Sequence, residues 1–411
     1  MVSLVNVDDI TSWSKFHLMK KNVEMISQQF ILEENELEHK MIDEEKILHQ
    51  YRNRIDNYDN ILSNHKNWEY YKKIINPYEF VYTQKRYEYF PDSVCKLKPL
   101  SRSYFKLVEM MDLIDFFKDY PLTYVRTAHV CEGPGGFIEA LYDLSKRTNK
   151  KIVSTVAMTL KSKQSNIPGW KKAYQFLKKN RSIRIIYGED GTGNIMRPEN
   201  QQYYIDNVTL MDNGGKVDIF TADGGFDFSG DYMRQEDMIF PLLVASTKIG
   251  FEVLRNGGVF ILKIFDFYHK STVDLLYFLS CHFEEWTLYK PGMSRPCNPE
   301  HYFIGKGFIG CTNEVFDVLR LWCTILDNNQ KMDSLLKMDY SNSFLVKMLE
   351  LRTNSYINQI GYLERVFQMI DTQYDEKMIK EHLKKNEKAS YEWCIRFNVP
   401  ISQNHCLLTE E

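Results

Sequence analysis

The sequence lacks the features of a metalloprotein, a disulfide-rich protein or a membrane protein. Its eight cysteines include no Cys-x-x-Cys pair, so it predicts neither a zinc module nor a disulfide framework. No apolar run reaches the roughly 18 residues of a membrane helix, and the start MVSLVNVDDITSWSKF lacks the basic and apolar stretches of a signal peptide. We therefore expect an intracellular protein with reduced thiols, in the nucleus, the cytoplasm or a viral factory or virion, and not secreted.

The sequence also lacks an excess of basic residues. Its 52 lysines and arginines are outnumbered by 55 aspartates and glutamates, which gives a formal net charge of −3. Nucleic-acid-binding domains are normally basic, so any nucleic-acid contact of this chain must be a local basic patch. With 411 residues, 44% of them hydrophobic, the chain has room for one large catalytic domain with appendages, or for two to three domains.

Apolar runs typical of strands alternate with helical stretches between residues 126 and 308. The runs are TAHVCE, KIVSTVAM, IRIIYG, VDIFTAD, GVFILKIF, EEWTLYK and HYFIGKGF. Helical patterns, such as Gly136 to Lys146 and Gln235 to Leu254, lie between most of them. This alternation predicts an α/β fold with a doubly wound sheet of about seven strands and helices on both faces. We place this domain at residues 96–312.

The two ends of the chain have a different pattern. From Val23 to Leu62 the sequence is charged, and its apolar positions recur at alternating spacings of three and four residues. This pattern predicts a long amphipathic helix within an N-terminal extension of residues 1–95. A helix laid on the core is the default, and a coiled coil is the alternative. Apolar positions return at helical spacing after Thr312, so residues 313–411 are predicted to form a helical C-terminal region.

The segment HVCEGPGGF follows a short predicted strand and precedes a helical stretch. Its glycines Gly133, Gly135 and Gly136 would let a ligand approach the backbone at the carboxyl end of that strand. A dinucleotide site needs a Gly-x-Gly-x-x-Gly pattern and an acidic residue about 20 residues later. The next strand ends in AMTLKSK, which has no carboxylate. The segment therefore argues against NAD as the ligand. The alternative to a ligand-binding loop is a glycine-rich turn that binds no ligand.

Four other segments would each bring one ionisable residue to the same place. They are SRSYFKLVE with Lys106, FTADGG with Asp223, FILKIFD with Lys263 and SRPCNPEHY with Glu300. Together with the glycine loop, this order resembles the Lys-Asp-Lys-Glu tetrad of the FtsJ-like RNA 2′-O-methyltransferases. Lys263 stands within an apolar run and must reach a cleft or a partner. Taken singly, the other three also fit an ordinary helix, strand-end or surface position.

The tetrad offers the groups that methyl transfer to a ribose hydroxyl requires, namely an aligned 2′-oxygen and a base for its proton. We assign Lys263 as the general base and Lys106 as the group that orients or polarises the oxygen. Asp223 and Glu300 would position the lysines. A lysine base needs a pKa below its ordinary value of about 10.4, and we expect repulsion between the two lysines to lower it.

Within the FtsJ-like group, the sequence is most similar to the cap-1 mRNA 2′-O-ribose methyltransferases of eukaryotes and large DNA viruses. The similarity covers about residues 76–308 and includes NPYE, MTLK, YGEDGTGN followed by RPEN, ADGGF, and KPGMSRPCNPEHY. It implies a Rossmann-like methyltransferase fold and S-adenosyl-L-methionine as the methyl donor. It also implies m7G-capped mRNA as the substrate, methylated on its first transcribed nucleotide from cap-0 to cap-1, and it implies no metal.

The resemblance further implies which residues contact the ligands. The methyl-donor contacts fall on Ser101, Cys131, Glu132, Gly133, Pro134, Gly135, Gly136, Phe137, Asn194, Ile195 and Asp223. The capped-RNA contacts fall on Lys72, Arg234, Gln235 and Asn298. This assignment is chemically consistent, because the two basic side chains can meet phosphates and the two amides can bind ribose or base edges.

Two departures from the family pattern concern donor binding. His129 stands where the family usually has an acidic residue, and the segment GEDGTGN is shorter than its counterpart. Two other functions stay open at this point: a 2′-O-methyltransferase of structured ribosomal or transfer RNA, and a non-catalytic RNA-binding scaffold subunit. NPYE and SRPCNPE argue against the first, and the complete ionisable set argues against the second.

The flanks raise a further hypothesis. Leu345, Met348, Ile360 and Phe367 are apolar positions that the catalytic motifs do not explain. Either flank could simply cover the core. Alternatively, one flank docks a partner from the capping or transcription machinery, or a second copy of the chain.

Overall fold

The computed structural model describes most of the chain between residues 43 and 403. The described residues are 19–20, 43–59, 67–83, 87, 89–119, 121, 123–164, 167–210, 215–225, 234–328, 330–336, 340–372 and 374–403. None of the helices in these ranges is long and apolar enough to cross a membrane.

The strands form one mixed sheet. In chain order they are β1 (Met19–Lys20), β2 (Tyr124–Val130), β3 (Lys151–Met158), β4 (Ile183–Ile186), β5 (Val217–Ala222), β6 (Leu254–Ile264), β7 (Phe283–Tyr289) and β8 (His301–Phe308). Their order across the sheet is β1-β7-β8-β6-β5-β2-β3-β4. β2 to β6 pair in parallel, whereas β8 pairs antiparallel with both β6 and β7. The seven strands predicted from the sequence are confirmed as β2 to β8, and β1 is an additional pairing at the edge of β7.

Helices cover the sheet and extend beyond it. They are α1 (Asp43–Asp59), α2 (Trp68–Ile74), α3 (Ser103–Leu113), α4 (Phe116–Asp119), α5 (Gly136–Arg147), α6 (Tyr174–Lys179), α7 (Pro198–Thr209), α8 (Gln235–Val253), α9 (Lys270–Ser280), α10 (Asn313–Asp327), α11 (Asn342–Asp371) and α12 (Glu376–Arg396). Local sequence signals mark several helix starts. Pro198 is the first residue of α7, and the side chains of Ser341 and Asp375 cap α11 and α12 by accepting backbone N–H groups.

The core consists of two apolar layers, one on each face of the sheet. The layer that contains Phe105 of α3 and Leu141 of α5 lies on one face. The layer that contains Phe251 of α8 and Leu276 of α9 lies on the other. β5 is buried along its whole length, as expected for a parallel strand covered on both faces. The Rossmann-like α/β fold with helices on both faces is therefore confirmed.

The N-terminal helix α1 lies on the core. Its Leu48 is fully buried, and the hydroxyl of Tyr51 donates to Glu364 Oε1 of α11 at 2.5 Å. Arg52 forms a buried ion pair with Asp266 at 2.7 Å. These contacts favour the packed helix over a coiled coil for residues 43–59. Residues 23–42 and 60–62 of the predicted long helix lie outside the described residues.

The C-terminal region is helical, as the sequence predicts, but most of its spare apolar positions are occupied. Met348 and Phe367 are 3% and 2% exposed, and Ile360 packs against the core. Treating these three as free docking positions was therefore wrong, because they already pack within this chain. Leu345 remains 45% exposed.

The last helix also binds the segment that precedes the sheet. The Asn386 side chain donates to the carbonyl of Ile74, and the Ser390 hydroxyl donates to the carbonyl of Pro77 at 3.2 Å. A β-bridge joins Cys95 to Ile401. The N- and C-terminal extensions thus contact each other and the core. The domain limits at residues 95/96 and 312/313 stay predictions.

Candidate active site

The four tetrad residues come from separate parts of the chain and meet at one edge of the sheet. Lys106 lies on α3, Asp223 follows β5, Lys263 lies near the end of β6, and Glu300 directly precedes β8. β5 and β6 are parallel, so their carboxyl ends share one edge, where ligands bind in open α/β sheets. β8 runs antiparallel to β6 and begins at this edge, with Tyr302 opposite Lys263.

The structure brings all four side chains into contact. Lys106 Nζ lies 2.5 Å from Glu300 Oε1. Lys263 Nζ lies 2.8 Å from Asp223 Oδ1 and 3.4 Å from Glu300 Oε2. It also donates to the carbonyl oxygen of Asp223 at 3.1 Å. Glu300 therefore joins the two lysines through its two carboxylate oxygens.

The charges of the tetrad shift the pKa values of Glu300 and Lys263. Burial alone would raise the pKa of Glu300, but Lys106 and Lys263 outweigh burial and hold that pKa well below its ordinary value. Burial alone would lower the pKa of Lys263, but Asp223 and Glu300 outweigh it and raise that pKa. The expectation of a lowered pKa at Lys263 is therefore wrong, because two carboxylates contact its ammonium group directly.

Tyr302 belongs to the cluster although the sequence analysis did not assign it. Its hydroxyl donates to Asp223 Oδ1 at 2.7 Å, the oxygen that also binds Lys263. Its ring is fully buried and packs against Phe137 of the glycine loop, with 5.9 Å between ring centroids. The sequence did contain a signal for this placement. Tyr302 stands two residues after Glu300 at the start of a strand, and side chains two residues apart on a strand point to the same face.

The glycine loop positions the starts of two helices against each other. Cys131 and Gly135 have φ angles of +57° and +103°, a region that glycine adopts most readily. A Cβ on Gly136 would lie 2.2 Å from the hydroxyl oxygens of both Ser101 and Ser103. Gly136 therefore permits the start of α5 to touch the start of α3, and Ser101 lies beside the loop.

The glycine loop also touches the segment that carries Asp223. A Cβ on Gly224 would lie 3.2 Å from Cys131 Cβ. Burial, together with the charges of Glu132 and Asp223, raises the pKa of the Cys131 thiol to about 12. The loop begins with a neutral thiol, and it adjoins the tetrad.

Glu132 places a second carboxyl group behind the loop. Its Oε1 accepts the N–H of Phe137 at 2.9 Å, and its backbone carbonyl accepts the N–H of Gly135 at 2.6 Å. Burial, followed by repulsion from Asp223, raises the pKa of Glu132 well above its ordinary value. A cationic ligand beside Glu132 and Asp223 would be favoured electrostatically.

A second loop, residues 187–197, is folded by Asn200 of the RPEN segment. The Asn200 amide donates to Asp190 Oδ1 and to the carbonyl of Asn194, both at 2.9 Å. Gly193 has a φ of +72°, and a Cβ there would lie 2.0 Å from the carbonyl oxygen of Thr159, which follows β3. The loop therefore packs directly on the end of β3. This packing places Asn194 and the buried Ile195 at the same edge as the glycine loop.

His129, the departure from the family pattern, lies inside the sheet. Its ring is fully buried, with Nδ1 at 2.7 Å from Thr221 Oγ1 and Nε2 at 2.9 Å from Thr127 Oγ1. Burial lowers its pKa to about 3, so the ring is neutral at pH 7. His129 is thus a hydrogen-bonded core residue on β2, within a strand that leads into the loop.

The four residues assigned to capped RNA lie in different settings. Lys72 on α2 forms an ion pair with Glu69. Arg234 is exposed at the start of α8, whereas the adjacent Gln235 is only 5% exposed. Asn298 lies in the loop before Glu300, and its carbonyl accepts a 2.5 Å hydrogen bond from Lys290. Asn298 and Glu300 are therefore presented by one loop.

A cleft of about 850 Å³ adjoins the glycine loop on the side of Leu100. Its lining includes the side chains of Lys96, Lys98 and Lys172. Leu100 connects the cleft to the loop, because a Cβ on Gly135 would lie 3.5 Å from it. No group of acidic, histidine or cysteine side chains in the described part of the chain could hold a metal ion.

Several known proteins resemble this chain. The cap-specific mRNA (nucleoside-2′-O-)-methyltransferase 1 of Dictyostelium discoideum is 27% identical over 371 residues, which is 86% of this chain and 46% of that protein. The protein of the same name from Homo sapiens is 36% identical over 210 residues, which is 49% of this chain and 24% of that protein. The chain thus spans less than half the length of these curated relatives.

The similarity to solved structures is weaker than the similarity to a family model. A Plasmodium falciparum chain described as a candidate ribosomal RNA methyltransferase is 20% identical, with a TM-score of 0.36; it covers 52% of this chain and 100% of that one. The family model of the FtsJ-like methyltransferases matches residues 99–308, which is just over half of the 411 residues and includes the tetrad and both loops. The chain therefore belongs to the FtsJ-like methyltransferase family.

Proposed function

We propose that this protein transfers a methyl group from S-adenosyl-L-methionine to the ribose 2′-hydroxyl of the first transcribed nucleotide of m7G-capped mRNA, converting cap-0 to cap-1. The observation that carries the proposal is the contact between Lys106, Glu300, Lys263 and Asp223 beside a glycine loop. Membership of the FtsJ-like family and the names of the relatives support it.

The residues around the glycine loop fit the methyl donor. Among the described residues, the buried indole nitrogen of Trp170 has no hydrogen-bond partner, and a Cβ on Gly135 would lie 3.3 Å from that ring. A ligand beside the loop could satisfy this donor group. When bound, S-adenosyl-L-methionine supplies an electrophilic methyl group on a sulfonium cation. Glu132 and Asp223 would stabilise its charge, and Ser101, Asn194 and Ile195 would complete the pocket.

The tetrad would orient the hydroxyl and accept its proton. All three N–H groups of a protonated Lys263 have acceptors in this structure. These acceptors are Asp223 Oδ1, the backbone carbonyl oxygen of Asp223 and Glu300 Oε2. Lys263 must therefore lose a proton before it can act as the general base. Lys106, held by Glu300, remains available to orient the 2′-oxygen. Because the pKa of Lys263 is raised, the rate of transfer should increase with pH through the neutral range.

The RNA contacts would be local, since the chain is slightly acidic overall. Lys72 and Arg234 would bind phosphates, and Gln235 and Asn298 would bind ribose or base edges. Asn298 is well placed for such a role because it shares a loop with Glu300. An intracellular location, in the nucleus, the cytoplasm or a viral factory or virion, belongs to the same proposal.

The proposal is tested by incubating the protein with the methyl donor and short RNAs that differ only at the 5′ end. One RNA carries an m7G cap, a second carries a triphosphate, and a third is a folded ribosomal or transfer RNA fragment. Nuclease digestion and mass spectrometry should find one 2′-O-methyl group, on the first nucleotide of the capped RNA. Equal methylation of the uncapped RNA would favour the structured-RNA enzyme. Absence of donor binding in calorimetry would favour the scaffold subunit.

A further inference from the structure

The loop that carries Glu300, residues 290–300, is attached to α3 by a buried carboxylate. Glu109 on α3 is 2% exposed. Its Oε2 accepts the N–H of Gly292 at 2.6 Å and the hydroxyl of Tyr289 at 2.9 Å. Its Oε1 accepts the N–H of Met293 at 2.9 Å. A single side chain thus binds two backbone N–H groups at the start of the loop.

Glu109 and Lys106 lie three residues apart on the same helix, so they are neighbours on its surface. Lys106 binds Glu300 at the end of the loop, while Glu109 binds the backbone at its start. The position of α3 relative to the loop therefore determines how Lys106 and Glu300 face each other.

The fourth donor to Glu109 comes from the C-terminal region. The indole N–H of Trp393 on α12 donates to Glu109 Oε1 at 2.9 Å. Trp393 is 4% exposed and packs edge-on against Phe105 of α3, with 5.7 Å between ring centroids. The helix α12 thus supports both the carboxylate and the helix that carries it.

A second C-terminal helix holds the other half of the loop. The Gln359 amide on α11 donates to the carbonyl of Cys297 at 2.7 Å. The oxygen of the same amide accepts a hydrogen bond from Arg52 of α1 at 2.9 Å. Within the loop, Lys290 binds the carbonyls of Asn298 and Glu300 at 2.5 and 3.2 Å. The loop is therefore tied to both flanking regions of the chain.

We propose that Glu109 and Gln359 are positioning residues for methyl transfer, and that Trp393 acts through Glu109, so that α11 and α12 set the geometry of the Lys106–Glu300 pair. The inference rests on the proposed function, because methyl transfer is what gives that pair its role. Among the described residues, the carboxylate of Glu109 is the only hydrogen-bond acceptor for the N–H groups of Gly292 and Met293. A weaker hold on them should let the loop move, and small displacements of reacting groups cost about a hundredfold in rate.

The test compares two variants of the full chain with a matched control. Trp393→Phe keeps the ring packing but removes the N–H that Glu109 accepts. Gln359→Glu keeps an acceptor for Arg52 but removes the donor to Cys297. Trp322→Phe is the control, because Trp322 on α10 is fully buried and packs on Phe278, on the opposite face of the sheet.

Two readouts separate positioning from general stability. Hydrogen–deuterium exchange of a peptide covering residues 290–300 should become faster in both test variants and stay unchanged in Trp322→Phe. With capped RNA, kcat of the test variants should fall roughly ten- to a hundredfold, while the Kd for the methyl donor stays the same. The glycine loop, which the donor is proposed to contact, has no part in these anchors.

Unchanged exchange of residues 290–300 in Trp393→Phe and Gln359→Glu would overturn the inference. Faster exchange with a wild-type kcat would also overturn it, because the loop would then be held for stability alone. An equal loss of kcat in Trp322→Phe would count against it in the same way. A wild-type protein that does not methylate capped RNA would instead contradict the proposed function, and the exchange experiment would still decide whether the C-terminal helices hold the loop.

Discussion

Two buried carboxylates at the same edge of the sheet differ in how they are held. Glu300 is held by the ammonium groups of Lys106 and Lys263, and its pKa is lowered. Glu109 is held by uncharged donors, two backbone N–H groups, a phenol and an indole. Burial dominates at Glu109, and its pKa is raised.

The comparison shows that burial alone does not determine the role of a carboxylate. Cations compensate for desolvation, so Glu300 stays ionised and takes part in a network of ion pairs with Lys106 and Lys263. Uncharged donors fix the position of Glu109 without supplying a charge partner, which suits a support for the backbone. The charged cluster around Glu300 is therefore a candidate for catalysis. The cluster of uncharged donors around Glu109 is a candidate for positioning the loop.

The largest effect should come from breaking the charged cluster at its centre. Lys263→Ala removes the proposed base, and kcat should fall by about a hundred- to ten-thousandfold, measured with saturating capped RNA and methyl donor. The Kd for the donor should stay nearly the same. Lys248→Ala is a suitable control, because Lys248 is also buried and pairs with Glu252 on α8. If Lys263→Ala retained more than about a tenth of the wild-type rate with chemistry limiting, the base assignment would be wrong.

A smaller effect with a diagnostic pH dependence should follow from neutralising Glu300. In Glu300→Gln, Lys106 loses its carboxylate partner, so the rate should fall by about ten- to a hundredfold. The same change removes one of the two carboxylates that raise the pKa of Lys263. The rising limb of the rate profile should therefore move to lower pH.

The control for this pH shift is Glu252→Gln, which changes a carboxylate on α8 paired with Lys248. Its profile should coincide with that of the wild type. If the rising limb of the rate against pH in Glu300→Gln lay at the same pH as in the wild type, Lys263 would not control the pH dependence of the rate.

The two carboxylates should also affect stability with opposite signs. A lowered pKa, as at Glu300, adds stability above the unfolded-state pKa of about 4.3, and this stability is lost as the pH falls through the folded-state pKa. A raised pKa, as at Glu109, removes stability as the pH rises from that value through the folded-state pKa. Each shift of one unit corresponds to about 1.4 kcal/mol.

Denaturant unfolding between about pH 2 and pH 7 measures this difference. As the pH rises towards about 4.3, the free energy of unfolding of the wild type should grow relative to Glu300→Gln. As the pH rises above about 4.3, it should fall relative to Glu109→Gln. Parallel curves for the two variants would show that the two sites do not differ electrostatically.

The smallest effect should come from the surface, away from both clusters. Arg234 is exposed at the start of α8, and Arg234→Glu should weaken binding of capped RNA. The slope of log affinity against log salt should decrease by about one phosphate contact. Fluorescence anisotropy at several salt concentrations measures this slope, and Arg320→Glu on α10 provides an exposed control. An unchanged slope would place the RNA path elsewhere.

Much of the fold followed from local patterns in the sequence. All seven predicted strands are present as β2 to β8, because buried strands are short apolar runs bounded by turn residues. The helix predicted from Gly136 to Lys146 spans Gly136–Arg147. The two-residue β1 could not be predicted, since its pairing with β7 depends on a partner more than 260 residues away.

The sequence by itself determined which chemical groups are available. The order of Lys106, Asp223, Lys263 and Glu300 around a glycine loop is a linear feature, and the family resemblance could be read from it. Only the tertiary structure decided how these groups act on one another. Lys106 and Glu300 are 194 residues apart in sequence and 2.5 Å apart in space, and electrostatic interactions depend on the distance in space.

The direction of the pKa shift at Lys263 illustrates the difference. The sequence shows two lysines and two carboxylates, and this count does not say which of them touch. In the fold, Asp223 and Glu300 contact Lys263, so its pKa is raised rather than lowered. The support from Trp393 was equally absent from any local pattern, because an indole N–H on the last helix reaches Glu109 only after the helix has packed on α3.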